Sequence, residues 1–175
     1  LNWSVHHLDL FRYWFADEPV SVYCQTPRRP GQRFVGEVIA TVVLRFPSGA
    51  QATMVDSNAA TPGRPIVHEV DLDGTQGSVY TRLSEPRTFE LWCLDERLNE
   101  DGDAPVHRLS VEGAWYPDGF IGSIGEFLSA LADDREPQIS GRRNLPSMAL
   151  VEACYQSAAH GQVVFLNGLE GGNKR

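Results

Sequence analysis

Two adjacent histidines and an aspartate, His6, His7 and Asp9, lie near the start of the chain inside an otherwise apolar stretch, NWSVHHLDLFRYWF at residues 2–15. Imidazole titrates near neutrality, so a histidine presented to a substrate hydroxyl can take or return its proton. The three residues do not make a zinc site. Neighbouring helical positions point about 100° apart, and no cysteine pair completes a tetrahedron. Asn2 and His6 are four apart and stack on one helical face, which Leu10 continues; His7, Leu10 and Trp14 form the neighbouring face. Asp9 is placed to pair with Arg12 or Tyr13. A purely structural reading of the same residues stands beside this one. In it Asn2 or Ser4 caps the helix, the histidines flank its buried stripe, and Asp9–Arg12 is a surface pair.

The element carrying these residues is an amphipathic helix, because Val5, Leu8, Phe11 and Phe15 recur at helical spacing. It ends near Asp17, Glu18 and Pro19, since the residue before a proline is driven out of the helical region. Residues 20–112 then read as strands: VSVYCQT, GEVIATVVLRF, AQATMVDS, PIVHEVDLDG, SVYTRL, TFELWCLD and VHRLSVEG are rich in β-branched and aromatic residues. FPSGA reads as a turn, and GTQG at positions 74–77 as a hairpin turn. Val38, Ala40, Val42 and Leu44 alternate with Ile39, Thr41, Val43 and Arg45, giving one apolar face and one mixed face. Two helices follow. In GFIGSIGEFLSALADD, the residues Phe120, Ile124, Phe127, Leu128 and Leu131 form a stripe; NLPSMALVEACYQSAAHG runs from Asn144 as N-cap to Gly161 as terminating glycine. QVVFL is a last strand and NGLEGGNKR a tail. Segregated strands and helices predict an α+β fold, a two-layer domain with a large open mixed, mostly antiparallel β-sheet covered on one face by helices. The whole of 1–175 reads as a single domain.

Composition narrows the function. The chain has 175 residues, a formal charge of −8, 42% hydrophobic and 22% charged residues, which suits a folded domain and disfavours nucleic acid or an anionic membrane as partner. Three cysteines, Cys24, Cys93 and Cys154, without CxxC spacing, read as small hydrophobes in a reducing compartment, so a cytoplasmic location is expected. The glycines of GFIGSIG lack the strand and the spacing of a dinucleotide-binding turn, and GxSxG, HExxH and Walker motifs are absent from the sequence. His68 and His107 fall in strand-like segments and His160 at a helix end, where it meets the negative pole of the helix.

Three stretches carry a resemblance that covers nearly the whole chain: VHHLDLFRYWFADEPVSVYC; VIATVVLRFPSGAQATM with VDLDGTQGSV; and ISGRRNLPSMALVEACYQSAAHGQVV. In order and spacing they resemble the C-terminal domain of the Gfo/Idh/MocA oxidoreductases, which include glucose-fructose oxidoreductase and inositol dehydrogenase. The resemblance implies a second half of an enzyme whose N-terminal Rossmann domain binds NAD or NADP and supplies a lysine from an E-K-P motif. It further implies a sugar, cyclitol or other polyol substrate and a homodimer or homotetramer formed through the sheet face. The first histidine of H-x-x-D, here His6, is the implied proton donor or acceptor at the substrate hydroxyl. Where the family commonly has an assisting aspartate four residues earlier, this chain has Asn2, whose carboxamide cannot act as a base but can hydrogen-bond substrate or orient His6. A non-catalytic sugar-binding or oligomerisation module with the same fold is the other reading, and Asn2 favours it.

With the Rossmann half outside it, this chain alone is expected to be inactive and to bind neither NAD(H) nor NADP(H), because it contains no strand–GxGxxG–helix unit. Titration calorimetry of the isolated chain should register no heat of binding with either cofactor; micromolar affinity would contradict the expectation.

Overall fold

A computed structural model of the chain describes residues 1, 4–33, 35–59, 67–82, 88–93, 106–109 and 117–166. The element order is α1 (Ser4–Phe15), β1 (Ser21–Gln25), β2 (Ile39–Arg45), β3 (Gln51–Ser57), β4 (Glu69–Gly74), β5 (Gly77–Arg82), β6 (Thr88–Cys93), β7 (Val106–Leu109), a 3₁₀ turn (Asp118–Phe120), α2 (Ile121–Ala132), α3 (Gly141–His160) and β8 (Val164–Phe165). The fold is α+β. Hydrogen bonding divides the strands into two open four-stranded sheets, ordered β3-β2-β1-β8 and β4-β5-β6-β7, and every described pairing is antiparallel. The chain divides into two compact units, residues 1–60 with 123–175, and residues 61–122.

The first unit is a two-layer packing. On one face of its sheet lie Val22, Cys24, Ala40, Val42, Leu44, Ala52 and Met54, all buried, as the alternation in β2 predicts. Leu8 of α1 and Leu150, Ala153 and Cys154 of α3 close over them, with Phe11 and Phe15 packed alongside. Phe15 meets Phe46 at 4.5 Å between ring centroids. The turn from β2 to β3 places Gly49 at φ 89°, and Phe46 N–H donates to the Ala50 carbonyl at 2.9 Å. Strand β8 is only two residues long, so β1 has an open edge beyond Val22. Ser157 of α3 serves that edge: its Oγ accepts from Cys24 N–H at 2.8 Å and donates to the Gln162 carbonyl at 2.5 Å. Both described thiols are buried and unoxidised, and Cys24 and Cys154 hydrogen-bond to each other. That mutual contact, with burial, holds the Cys154 thiol far above its ordinary pKa.

In the second unit the hairpin read at positions 74–77 is present. Gly74 faces Gly77 across a two-residue turn, and the Tyr80 hydroxyl donates to Glu69 at 3.0 Å across the strands. Of the three histidines set aside above, His68 precedes β4, His107 lies on β7, and His160 ends α3, exposed.

Two expectations need correction. Helix α3 starts at Gly141, with Ser140 and not Asn144 as its N-cap; the Ser140 side chain accepts from Arg143 N–H at 3.2 Å. Pro146 is the reason the spacing misleads, since it signals a helix start yet sits in the sixth position of this helix, past the first turn, where it forgoes a bond to the Arg142 carbonyl. The stripe on α2 exists but is not core: its residues are exposed, from 46% at Phe127 to 69% at Leu131, and only Ala130 of this helix is buried. Helices α1 and α3 already occupy the apolar face of the first sheet. The helix does end as expected at Gly161, which takes φ 64° and donates to the Ser157 carbonyl.

The connection from α2 to α3 is fixed by Glu126. Arg135 donates to both its carboxylate oxygens at 2.7 and 2.9 Å, and Gln138 N–H adds a third bond at 2.8 Å. The Arg135 bonds, then the Gln138 N–H, pull the Glu126 pKa from 4.5 down to about 2. A carboxylate with a depressed folded-state pKa contributes stability that is present above its unfolded value and lost as pH falls through its folded value. Urea midpoints measured across pH 4.5 to about 2 should therefore fall more steeply for the wild-type chain than for Glu126→Gln.

Candidate active-site helix

Helix α1 holds the sequence-predicted site, and three anchors determine how it lies. Its apolar stripe seats Leu8, Phe11 and Phe15 on the core. At its start Ser4 is buried, and its hydroxyl donates to Asp56 Oδ2 of β3 at 2.8 Å. A small cavity of about 30 Å³ lies beside this bond, lined by Ser4, Glu37, Asp56 and Asn58 among others. Near its end Arg12 forms the third anchor. Its Nε and Nη2 grip the Glu18 carboxylate at 2.6 and 2.5 Å, and its Nη1 donates to Asp9 Oδ1 at 3.0 Å and to Ser147 Oγ of α3 at 2.5 Å. The Ser147 hydroxyl in turn donates to Asp9.

The expected Asp9–Arg12 pair is therefore present but is more than a surface pair. The Arg12 side chain is only 12% exposed, and Ser147 is fully buried. Hydrogen bonding to Glu18 raises the Arg12 pKa above its ordinary value, with burial opposing it and Asp9 adding to it. Glu18 and Ser147 were not singled out from the sequence. Glu18 stands in the E-P step that ends the helix, a usable signal; Ser147, 135 residues from Arg12, has no local one. The helix closes with Ala16 in a left-handed conformation, φ 48°, which turns the chain toward β1.

Of the predicted site residues, His6 is exposed on the outward face of α1, and Asn2 lies outside the described residues. His7 is half-buried on the adjacent face, as a 100° step from an exposed position dictates. Around His6 the outward face carries Asp9, Leu10, Tyr13 and Trp14, with Tyr13 76% exposed. An open concavity of about 400 Å³ adjoins this face, lined by Asp9, Arg12, Tyr13, Glu18, Gln138 and Arg143 among others. Among the described residues no group of His, Cys, Asp or Glu could hold a metal ion, and no helix is long and apolar enough to cross a membrane. Gly119 lies in the 3₁₀ turn, and Gly122 and Gly125 lie within α2.

Comparison with known proteins fits this arrangement. Residues 1–80 match the sequence model described as the GFO/IDH/MocA C-terminal domain. Over that stretch the chain resembles a GFO/IDH/MocA C-terminal domain. This domain is 31% identical over 170 residues to D-apiose dehydrogenase of Paraburkholderia graminis, an alignment spanning 95% of this chain and 44% of that enzyme. It is 24% identical to myo-inositol 2-dehydrogenase of Thermotoga maritima, over 90% of this chain and 46% of the relative. An oxidoreductase from Agrobacterium radiobacter, solved with NAD+, L-tartaric acid and magnesium, superposes with a TM-score of 0.74 at 27% identity, over 93% of this chain and 47% of that one. The chain thus spans about half the length of the curated relatives it matches.

The two faces of α1 have opposite energetic roles. Leu8→Ala should destabilise the chain by about 2–5 kcal/mol, the usual cost of truncating a fully buried leucine. Tyr13→Ala should change stability by no more than about 0.5 kcal/mol, as at other exposed sites. Urea denaturation of the two variants distinguishes them; a Tyr13→Ala loss comparable to that of Leu8→Ala would mean that the outward face is part of the fold.

Proposed function

We propose that this domain is the substrate-binding half of an NAD(P)-dependent oxidoreductase acting on a hydroxyl or carbonyl of a sugar, cyclitol or related polyol. The observation that carries the reading is His6 standing exposed on a helix whose other face is anchored at Leu8, Ser4 and Arg12. D-apiose dehydrogenase and myo-inositol 2-dehydrogenase, both among its relatives, support the substrate class. In this reading His6 touches the substrate hydroxyl and is its catalytic acid–base group: the imidazole takes the hydroxyl proton during oxidation and returns it during reduction. A nicotinamide dinucleotide, bound by residues outside this chain, supplies the hydride acceptor or donor. Asn2 contributes a hydrogen bond to the substrate or to His6, with no proton of its own to exchange. The mixed outer face of β1–β3, where Val43 and Val55 are exposed, is the surface through which two or four copies meet. The same reading keeps the protein in the cytoplasm and away from nucleic acid and membranes.

A second reading, a sugar-binding or assembly module without turnover, is favoured by one observation, the carboxamide of Asn2 in place of a carboxylate. Both are tested on the full-length protein with NAD+ and NADP+ against D-apiose, myo-inositol and a panel of aldoses and polyols. His6→Ala should lower turnover roughly 10²–10⁴-fold, the usual worth of a positioned acid–base group. His7→Ala should cost far less, through packing or substrate affinity alone. Loss of activity in His7→Ala with His6→Ala intact would show the register to be wrong, and absence of turnover on the whole panel would favour the module.

A further inference from the structure

Apolar contact alone does not fix the attitude of α1. Leu8, Phe11 and Phe15 hold it to the core, but burial is non-directional, and a greasy stripe tolerates roll and slide. Hydrogen bonds do not. Ser4 on Asp56 pins the first turn, and Arg12 pins the third through Glu18, Asp9 and Ser147, the last from a different helix. Ser4 and Arg12 are eight positions apart, so they project about 80° from each other around the axis, and two such anchors fix both roll and slide. His6 lies between them in sequence, on the face that neither anchor uses. Its direction is therefore inherited from theirs.

We propose that Arg12, seated by Glu18, Asp9 and Ser147, is a positioning residue for His6: it sets the rotation of α1 and thereby aims the imidazole. This inference rests on the reading of His6 as the acid–base group. Arg12 itself lies about 9 Å along the helix from His6 and about 120° around it, with its guanidinium engaged by Glu18, Asp9 and Ser147, so it acts on His6 through the helix. Lysine at this position would keep the charge but lose the two-edged grip on Glu18 and the simultaneous bond to Ser147. The resulting roll is small in distance and large in consequence, because a displacement of about 1 Å in a reacting group can lower a rate by about 10²-fold.

A double-mutant cycle in the full-length protein tests this, using the polyol and cofactor of highest turnover in the panel above, with rates expressed per folded molecule. In the wild-type background Arg12→Lys should lower kcat about tenfold or more while leaving KM for the polyol within about twofold. In the His6→Ala background the same change should cost nothing further, because the group it aims is already gone. Ser147→Ala, which removes one hydroxyl and no charge, should repeat the pattern at smaller amplitude and serves if Arg12→Lys folds poorly; Ser147→Thr should restore the rate. Equal losses in both backgrounds would overturn the inference, since Arg12 would then act on the fold alone, and so would absence of loss in the wild-type background. Full turnover in His6→Ala itself would overturn the reading beneath it.

Discussion

A guanidinium withdrawn from water must have its N–H groups answered, and in this domain that requirement joins three parts of the chain. Arg12 sits on α1, Glu18 in the turn that leaves it, and Ser147 on α3. Arginine suits the place because its planar fork meets a carboxylate with two parallel bonds while a third nitrogen remains for other acceptors. Asp9 and Glu18 are about half exposed, so each carboxylate keeps contact with solvent while the cation between them is largely withdrawn from it. The desolvation cost is thereby confined to one group with several partners, the condition under which a buried charge is tolerated. Because β1 begins three residues after Glu18, the same cluster also sets where the first strand enters the sheet.

The second layer is fastened by the same logic applied to neutral groups. Strand β8 covers only the start of β1, which leaves the Cys24 N–H facing α3 rather than a neighbouring strand. A buried amide without a partner would cost about as much as a lost hydrogen bond. Ser157 supplies the acceptor and passes its own proton to the Gln162 carbonyl just beyond the helix end. Serine is a mediocre residue for a helix interior, and both buried serines of α3 are explained by what they bond: Ser147 answers Arg12, and Ser157 answers β1. Between them the helix presents Leu150, Ala153 and Cys154 to the sheet, small enough at two of three positions to let α3 lie close.

Much of this was legible in the sequence because it is local. Period-two alternation gives β2 its buried and open faces, the paired glycines at 74 and 77 give a hairpin, Gly161 gives a helix end, and a Glu-Pro step gives another. Local signals also mislead locally: Pro146 suggests a helix that begins beside it, whereas Ser140 begins it earlier. The rest was hidden because it depends on distance. Periodicity on α2 announces an apolar stripe but not whether anything covers it, and here α1 and α3 reach the sheet face first. The Asp9–Arg12 pair follows from i,i+3 spacing, yet nothing near Arg12 announces a serine on α3, and that serine makes the pair a junction.

His6 and His7 show what such a junction is worth to a site. They are chemically identical neighbours, separated only by a 100° step around α1, so their different surroundings come from the rotation of the helix and from nothing in the residues themselves. Rolled by half that step, both would lie at the margin between core and solvent, and neither would be presented cleanly. The rotation is held by groups that the fold buries, Ser4, Leu8, Arg12 and Ser147, none of which shares the face that carries His6. Folding and presentation are thus assigned to different sides of one helix. The outward side, where His6, Leu10, Tyr13 and Trp14 are exposed, has a smaller part in holding the domain together, with Asp9 at its margin joining the Arg12 cluster. A face with the smaller part in stability can be shaped to its ligand, while the anchors behind it hold its direction constant.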